Sequence, residues 1–162
     1  MQLDIAKTTI FKEAKSVSQS IKIKGITIRN FKSLFDVSFE TGNVNVFIGA
    51  NGSGKTSVLE AIGVLSAAMT DRVNNNSLQR KGVRLSTSSL YKSKFADIVK
   101  ESPTVEFSLK WGKDSHEYQY NTHLTAPVGD DSWKYHTESV SRDGIIVFGR
   151  SNRSKSHMNN KV

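Results

Sequence analysis

The sequence predicts an α/β fold of the α+β kind, strands and a helix about a Gly-rich loop with antiparallel hairpins attached. Three observations carry that prediction. A short apolar run, Val44-Asn45-Val46-Phe47-Ile48, passes through a Gly-rich loop into a segment of helical periodicity. Upstream of it, residues alternate apolar and polar with period two. Downstream of Pro103 the same period returns in two pairs of runs, each pair folded about turn residues.

Residues 1–20 are polar with scattered apolar positions and read as a flexible N-terminal arm. Lys7, Lys12 and Lys15 interrupt any continuous apolar stretch, so the arm does not read as a secretory signal. The first firm element starts at Ile21. Ile21, Ile23, Ile26 and Ile28 alternate with Lys22, Lys24, Thr27 and Arg29, and the phase slips across Gly25, which suits a bulge. Val37 and Phe39 share one face of a second run, and Thr41-Gly42-Asn43 turns the chain into the apolar run 44–48, which has the composition of a buried strand. Beyond the loop, Val58, Ile62, Leu65 and Met69 form one helical stripe, ending near Thr70–Asp71 before Asn74-Asn75-Asn76. Residues 77–100 are weakly patterned, with a short helix expected around Leu90–Val99. The first hairpin sets Val105, Phe107, Leu109 and Trp111 against Tyr118, Tyr120, Thr122 and Leu124, with its turn at Gly112-Lys113-Asp114. The second pairs Trp133–Val140 with Ile145–Phe148 about Arg142-Asp143-Gly144, where Asp-Gly is a favoured hairpin dipeptide. Residues 151–162 read as a basic tail, which makes 21–150 the folded lobe.

Between the apolar run and the helix, Gly49-Ala50-Asn51-Gly52-Ser53-Gly54-Lys55-Thr56 satisfies G-x-x-x-x-G-K-[ST] at every fixed position. Each residue type has a chemical reason. Gly52 and Gly54 admit positive φ and let the backbone approach a phosphate. Successive N–H groups can then converge as an anion nest at a helix N-terminus. Lys55 supplies a point charge for the β- and γ-phosphates, and the Thr56 hydroxyl is the expected Mg²⁺ ligand, with Ser57 next in line at the nucleotide. The motif in its strand–loop–helix setting marks a P-loop NTPase binding a nucleoside triphosphate.

The remaining grammar of such enzymes is missing. D-x-x-G and N-K-x-D, expected of a GTPase, do not occur. No apolar strand after the loop ends in the acidic pair a hydrolytic ATPase uses to hold Mg²⁺ and orient water. Asp130-Asp131 follows Ala126-Pro127-Val128-Gly129 and reads as a loop, and Leu85-Ser86-Thr87-Ser88-Ser89 does not replace an L-S-G-G signature. No complete catalytic set is therefore expected in this chain.

Composition bounds the rest. With 162 residues, 36% apolar and 11 Gly besides, the chain is near the roughly 45–50% usual for a globular domain. No Cys excludes disulfides, a thiolate nucleophile and thiolate metal ligands. No apolar run nears the ~18 residues of a membrane span, so a cytoplasmic protein without membrane contact is expected. Twenty-three Lys and Arg against 15 Asp and Glu leave a net charge of +8, which favours polyanionic partners.

Ile26-Thr27-Ile28-Arg29-Asn30-Phe31-Lys32-Ser33-Leu34, then Phe47–Thr56 and Leu59-Glu60-Ala61-Ile62-Gly63-Val64-Leu65-Ser66, together resemble the opening of the RecF/SMC-like ABC ATPases. Bacterial "AAA family" ATPases of the overcoming-lysogenisation (OLD) and anti-phage defence type share this start. Gly82-Val83-Arg84-Leu85 with Leu90-Tyr91-Lys92-Ser93 is similar to that subgroup. The resemblance implies an N-terminal ATP-binding lobe that pairs a mixed sheet around the Gly-rich loop with an antiparallel sheet. In that lobe residues near Asn30–Ser33 lie by the nucleotide, with Lys32 at a phosphate or the base. It implies ATP and Mg²⁺ as cofactors. The Walker B, signature and switch-histidine elements would sit in a C-terminal lobe that this chain does not contain, so a homodimer, a second lobe or a second subunit is the implied partner, with DNA or a nuclease beyond it. The resemblance also implies a glutamine that senses Mg²⁺ and the γ-phosphate after the hairpin region; Gln79 and Gln119 are the only glutamines after the Gly-rich loop, and the role is assigned to neither.

Other features weigh less. His116, His123, His136 and His157 lack metal-ligand spacing, and His116 and His123 fall on hairpin positions open to solvent. Residues 77–100 carry six bases against one acid, either a DNA-facing surface or a solvated face. Trp111, Tyr118 and Tyr120 could stack on bases but alternate as cross-strand packing does. Two further functions stay open: a small-molecule P-loop kinase with 77–100 as its basic lid, and a non-catalytic ATP-binding or interaction subunit.

Overall fold

The computed structural model describes residues 20–70, 72–93, 104–127, 132–151 and 154–158. Its elements are β1 (Lys22–Phe31), β2 (Leu34–Glu40), α1 (Lys55–Thr70), α2 (Asn75–Arg80), α3 (Ser88–Tyr91), β3 (Val105–Lys113), β4 (His116–Thr125), β5 (Lys134–Arg142), β6 (Ile145–Ser151) and β7 (Ser154–Met158). The strands form one sheet in the order β2-β1-β3-β4-β5-β6-β7, every neighbouring pair antiparallel.

The strands follow the sequence pattern. In β1, Ile26 and Ile28 point into the core while Thr27 and Arg29 face the other side. The pairing of β1 with β3 shifts between Ile23 and Gly25, so the expected bulge is there. Both long hairpins close on two-residue turns of positive φ, Asp114-Ser115 (52° and 65°) and Asp143-Gly144 (49° and 80°), the turns whose twist matches that of the strands they join. The first turn sits one residue later than expected. The sheet is two-faced, as antiparallel sheets commonly are. Its outer face is polar, with Thr27 against Ser38, Arg29 against Asp36 and Gln119 donating to Ser108. Its inner face carries Ile26, Ile28, Val105, Phe107, Tyr120 and Leu124.

Helix α1 lies against this inner face and has two buried sides instead of the single stripe expected. Val58, Ala61, Leu65 and Ala68 are one; Glu60, Gly63, Val64 and Ala67 are the other. Of the expected stripe, Val58 and Leu65 are buried and Ile62 is partly buried against the core, while Met69 is exposed and small residues fill the rest of the contact. The C-terminal end is docked by Tyr135, which donates to the Ala68 carbonyl at 3.0 Å and satisfies an acceptor that the last turn leaves open. The Tyr120 hydroxyl lies 3.5 Å from the same carbonyl and donates to Glu138 Oε1 at 2.6 Å. Trp111 stacks on Tyr118 with centroids 5.4 Å apart and planes at 10°, so these aromatics pack across strands.

The second side of α1 receives the segment after α2. Val83 is buried, and the closeness is set by Gly63, where an added Cβ would lie 2.7 Å from the Val83 methyl and 2.8 Å from the Lys81 carbonyl. Gly63→Ala should therefore destabilise the protein. The helix-propensity gain of about 1 kcal/mol is outweighed by overpacking of roughly 1–3 kcal/mol against a backbone atom. A urea midpoint that rises in the variant would refute this close packing.

Three expectations are corrected. The run 44–48 has the right composition but pairs with no strand among the described residues, so no mixed sheet forms around the Gly-rich loop. Val44 and Ile48 are 82% and 90% exposed. The physical reason is that β2 turns away at Thr41–Asn43 and leaves these residues beyond the sheet edge, with the Phe39–Phe47 ring contact (5.4 Å) as a tie. The expected basic tail from residue 151 includes β7, whose backbone adds to the free edge of β6. The helix expected at Leu90–Val99 does not run on from Leu90, because α3 ends at Tyr91 and Lys92 is extended; residues 94–103 lie outside the described residues, as do the arm 1–19 and Asp130-Asp131.

Candidate functional site

The Gly-rich loop enters α1 at Lys55. Gly52 and Gly54 adopt φ of +83° and +93°, the left-handed values that L side chains rarely take. Gly54 also has no room for a Cβ, which would meet the Leu34 methyl at 3.1 Å and Ser33 Oγ at 3.2 Å. The loop closes with Ser53 N donating to the Ala50 carbonyl (3.2 Å), and the helix opens with Val58 N donating to the Gly54 carbonyl (3.0 Å). The Lys55 ammonium lies over the loop, donating to the carbonyls of Gly49 and Ala50 at 2.7 Å each and to Ser53 Oγ at 3.4 Å. Gly49, Asn51, Gly52 and Thr56 are exposed around it. A cation and the free N–H groups of a helix's first turn thus open to solvent at one place, which suits a multiply charged anion.

The β1–β2 turn flanks this loop. Ser33 Oγ and Ser57 Oγ are 2.9 Å apart, joining the turn to the first turn of α1. Lys32 adopts a left-handed φ of 51°, unusual for a lysine, and is held there by its N–H donating to the Tyr91 carbonyl at 2.9 Å. Its ammonium lies 5.3 Å from the Tyr91 ring centroid and 2.7 Å from Glu60 Oε2. Lys32 and Ser57, predicted separately from sequence, line one cleft of about 450 Å³ with Ser33, Arg84, Leu85, Ser86, Leu90 and Lys92. Three of these are bases and none is an acid.

Glu60 and Arg84 were not read from the sequence as site residues. Glu60 is 2% exposed and divides its carboxylate: Oε2 accepts from Lys32, and Oε1 accepts from Arg84 Nε at 2.7 Å and Arg84 N at 3.2 Å. The available signal was its isolation. It is the one acid in α1, and no base stands four residues away to explain it. Burial raises the Glu60 carboxyl, but the Arg84 and Lys32 hydrogen bonds outweigh this and hold it below its ordinary value of 4.5. A depressed carboxyl contributes stability that is full above its unfolded-state value and is lost as pH falls through its folded-state value. Urea midpoints should therefore drop below about pH 4.3, and Glu60→Gln should flatten the part of that drop due to this group. An identical acid limb in the variant would refute the assignment.

The site can hold charge, and among the described residues lining the cleft none is an acid. Glu60 is enclosed and both its oxygens are engaged. Among the described residues no group of three or more His, Asp or Glu could hold a metal ion. His116 instead bonds Asp143 at 2.6 Å across the tips of the two long hairpins. No helix among the described residues is long and apolar enough to cross a membrane.

Comparisons with known proteins agree with this geometry. A family model described as an AAA ATPase domain matches residues 21–126, more than half of the chain and inclusive of the loop, α1 and the cleft. The chain is 49% identical over 57 residues to a DNA replication and repair protein RecF of Oenococcus oeni, covering 35% of this chain and 14% of that one. It is 30% identical over 84 residues to the RecF of Lactococcus lactis (50% and 23%) and 33% identical over 72 residues to that of Clostridioides difficile (44% and 19%). The chain thus spans less than a quarter of the length of these relatives. It belongs to the AAA ATPase domain family, as a RecF/SMC-like ATP-binding lobe.

Proposed function

We propose that this lobe binds ATP with Mg²⁺ and works as one half of an ATPase whose other half is a second body. Asn51–Thr56 form the cradle, with Gly49, Ala50 and Ser57 at its margins, Lys55 carries the charge for the β- and γ-phosphates, and Lys32 lies at the nucleotide beside the cradle. The observation that carries the reading is the Lys55 ammonium poised over a loop whose two positive-φ glycines leave the approach clear.

The donor chemistry fits Mg²⁺ arriving with the nucleotide. Mg²⁺ keeps several waters and commonly takes one or two protein oxygens together with substrate phosphates, and the exposed Thr56 hydroxyl supplies one such oxygen. When bound, the ion would neutralise phosphate charge; this chain's own residues bind and orient the triphosphate.

The exposed run 44–48 supports the second body. Val44, Val46 and Ile48 are 82%, 74% and 90% exposed. Successive large apolar side chains left in solvent mark an interaction surface. A second lobe or a partner subunit would add strands to the run 44–48 and bring the water-activating acid; a second copy of this chain would have no such acid among the described residues to offer. The relatives are DNA replication and repair proteins, and bases of the 77–92 segment are spread over two places, Lys92 at the cleft and Arg80 with Lys81 beside Thr70 at the other end of α1. Coupling of ATP state to a DNA- or nuclease-linked activity, including anti-phage defence of the OLD type, is the corresponding proposal for the whole assembly.

The test is ATP binding and turnover by the purified chain with Mg²⁺, with Lys55→Ala as the blank. Binding without turnover is expected. Turnover above the blank would mean that a full catalytic set is present and would overturn the half-site reading. Absence of binding would overturn the ATP reading.

A further inference from the structure

We infer that Glu60 is a positioning residue for the nucleoside part of the ligand, setting Lys32 and Arg84 as two fixed walls of the cleft beside Ser57. The inference rests on the ATP reading. The side chain cannot itself meet a ligand, because it is 2% exposed and its two oxygens are engaged on opposite sides. It acts through what it holds. Oε2 fixes the ammonium of Lys32, which is 15% exposed and sits on the turn joined to α1 by the Ser33–Ser57 contact. Oε1 fixes both the backbone and the guanidinium of Arg84, and with them the segment that bears Leu85, Ser86, Leu90 and Lys92 on the opposite side of the cleft.

Stability alone is a poor account of this arrangement. An enclosed ion pair costs desolvation that apolar packing of the same junction would not, so it contributes little net stability. The junction is already fastened by other means: Val83 against Gly63, Ser93 N donating to the Asn30 carbonyl at 3.2 Å, and Tyr91 Oη accepting from Ser86 N at 2.9 Å. What the carboxylate adds is the position of two cations. With one negative charge against Lys32, Arg84 and Lys92, the cleft remains a donor-rich, positive pocket that the partly exposed Leu85 and Leu90 also line. That combination fits a ring with acceptor atoms joined to a phosphate held next door.

The test compares ATP with inorganic tripolyphosphate, which has the same anionic chain and no nucleoside. Both are titrated into the wild type, Glu60→Gln, Lys32→Met and the double variant, each checked for native circular dichroism. Glu60→Gln should weaken ATP roughly tenfold while leaving tripolyphosphate unchanged, and the loss should shrink when Lys32 is already Met. Arg84→Met, a change on a side chain that is 74% exposed, should show the same pattern more weakly and serves if Glu60→Gln does not fold. Equal weakening of both ligands, or an undiminished loss in the double variant, would mean a merely structural role and overturn the inference. So would a wild type that binds tripolyphosphate as tightly as ATP. A wild type that binds neither overturns the ATP reading itself, and this inference with it.

Discussion

Lys55→Ala should abolish most of the affinity for ATP while leaving the fold in place. The ammonium is the only charged group donating into the loop among the described contacts, and its partners are the exposed carbonyls of Gly49 and Ala50. A charge-assisted hydrogen bond contributes about 1.5–3 kcal/mol, which corresponds to roughly ten- to 150-fold in binding. Because those carbonyls can turn to water when the lysine is gone, the urea midpoint should move by less than about 0.5 kcal/mol equivalent. Isothermal titration beside a denaturation curve reads both quantities. Unchanged affinity would sink the assignment of the loop.

Phe31→Ala carries the largest expected cost in stability. Phe31 is fully buried at the end of β1, stacked on Tyr91 (6.4 Å, 26°) and edge-on to Phe107 (5.6 Å, 63°). Truncation removes the contact of strand, α3 segment and β3 in one step. Losses of this kind run to about 3–5 kcal/mol, against a total of roughly 5–15 kcal/mol for a domain. The denaturant midpoint should fall steeply with little change in slope. A drop under about 1 kcal/mol would show that the site collapses around the gap or that these rings are not packed together. Loss at this position also reaches the cleft, since the Lys32 ammonium lies over both the Phe31 and Tyr91 rings.

Much of this molecule could be read locally. The slip at Gly25, the Asp143-Gly144 turn, the span of α1 and the Gly-rich loop depend on residues near each other in the chain, and they stand in the structure as expected. What could not be read depends on distance. Glu60 lies 28 residues from Lys32 and 24 from Arg84, so nothing at its own position announces a shared carboxylate. The two buried sides of α1 had the same cause: Ala61, Gly63, Ala67 and Ala68 are weakly hydrophobic, and their burial follows from how closely the sheet and the Val83 segment approach. The run 44–48 shows a different limit. An apolar pattern reports that a segment is suited to burial, but not whether the covering surface is on the same chain.

That run has a consequence for how the protein behaves before any nucleotide is added. Val44-Asn45-Val46-Phe47-Ile48 has no charge and no proline, and it favours extended backbone with edges open on both sides. Segments of this description template their own kind and seed fibrous or amorphous precipitates. The nearest charges, Glu40 and Lys55, stand well outside it and are poor gatekeepers. If the proposed second body covers this segment, the lobe made alone should precipitate more readily than the assembly and be more open to proteases, so its abundance would follow the supply of that body. Stoichiometry of the assembly would then be enforced by turnover of the uncovered lobe as much as by matched synthesis.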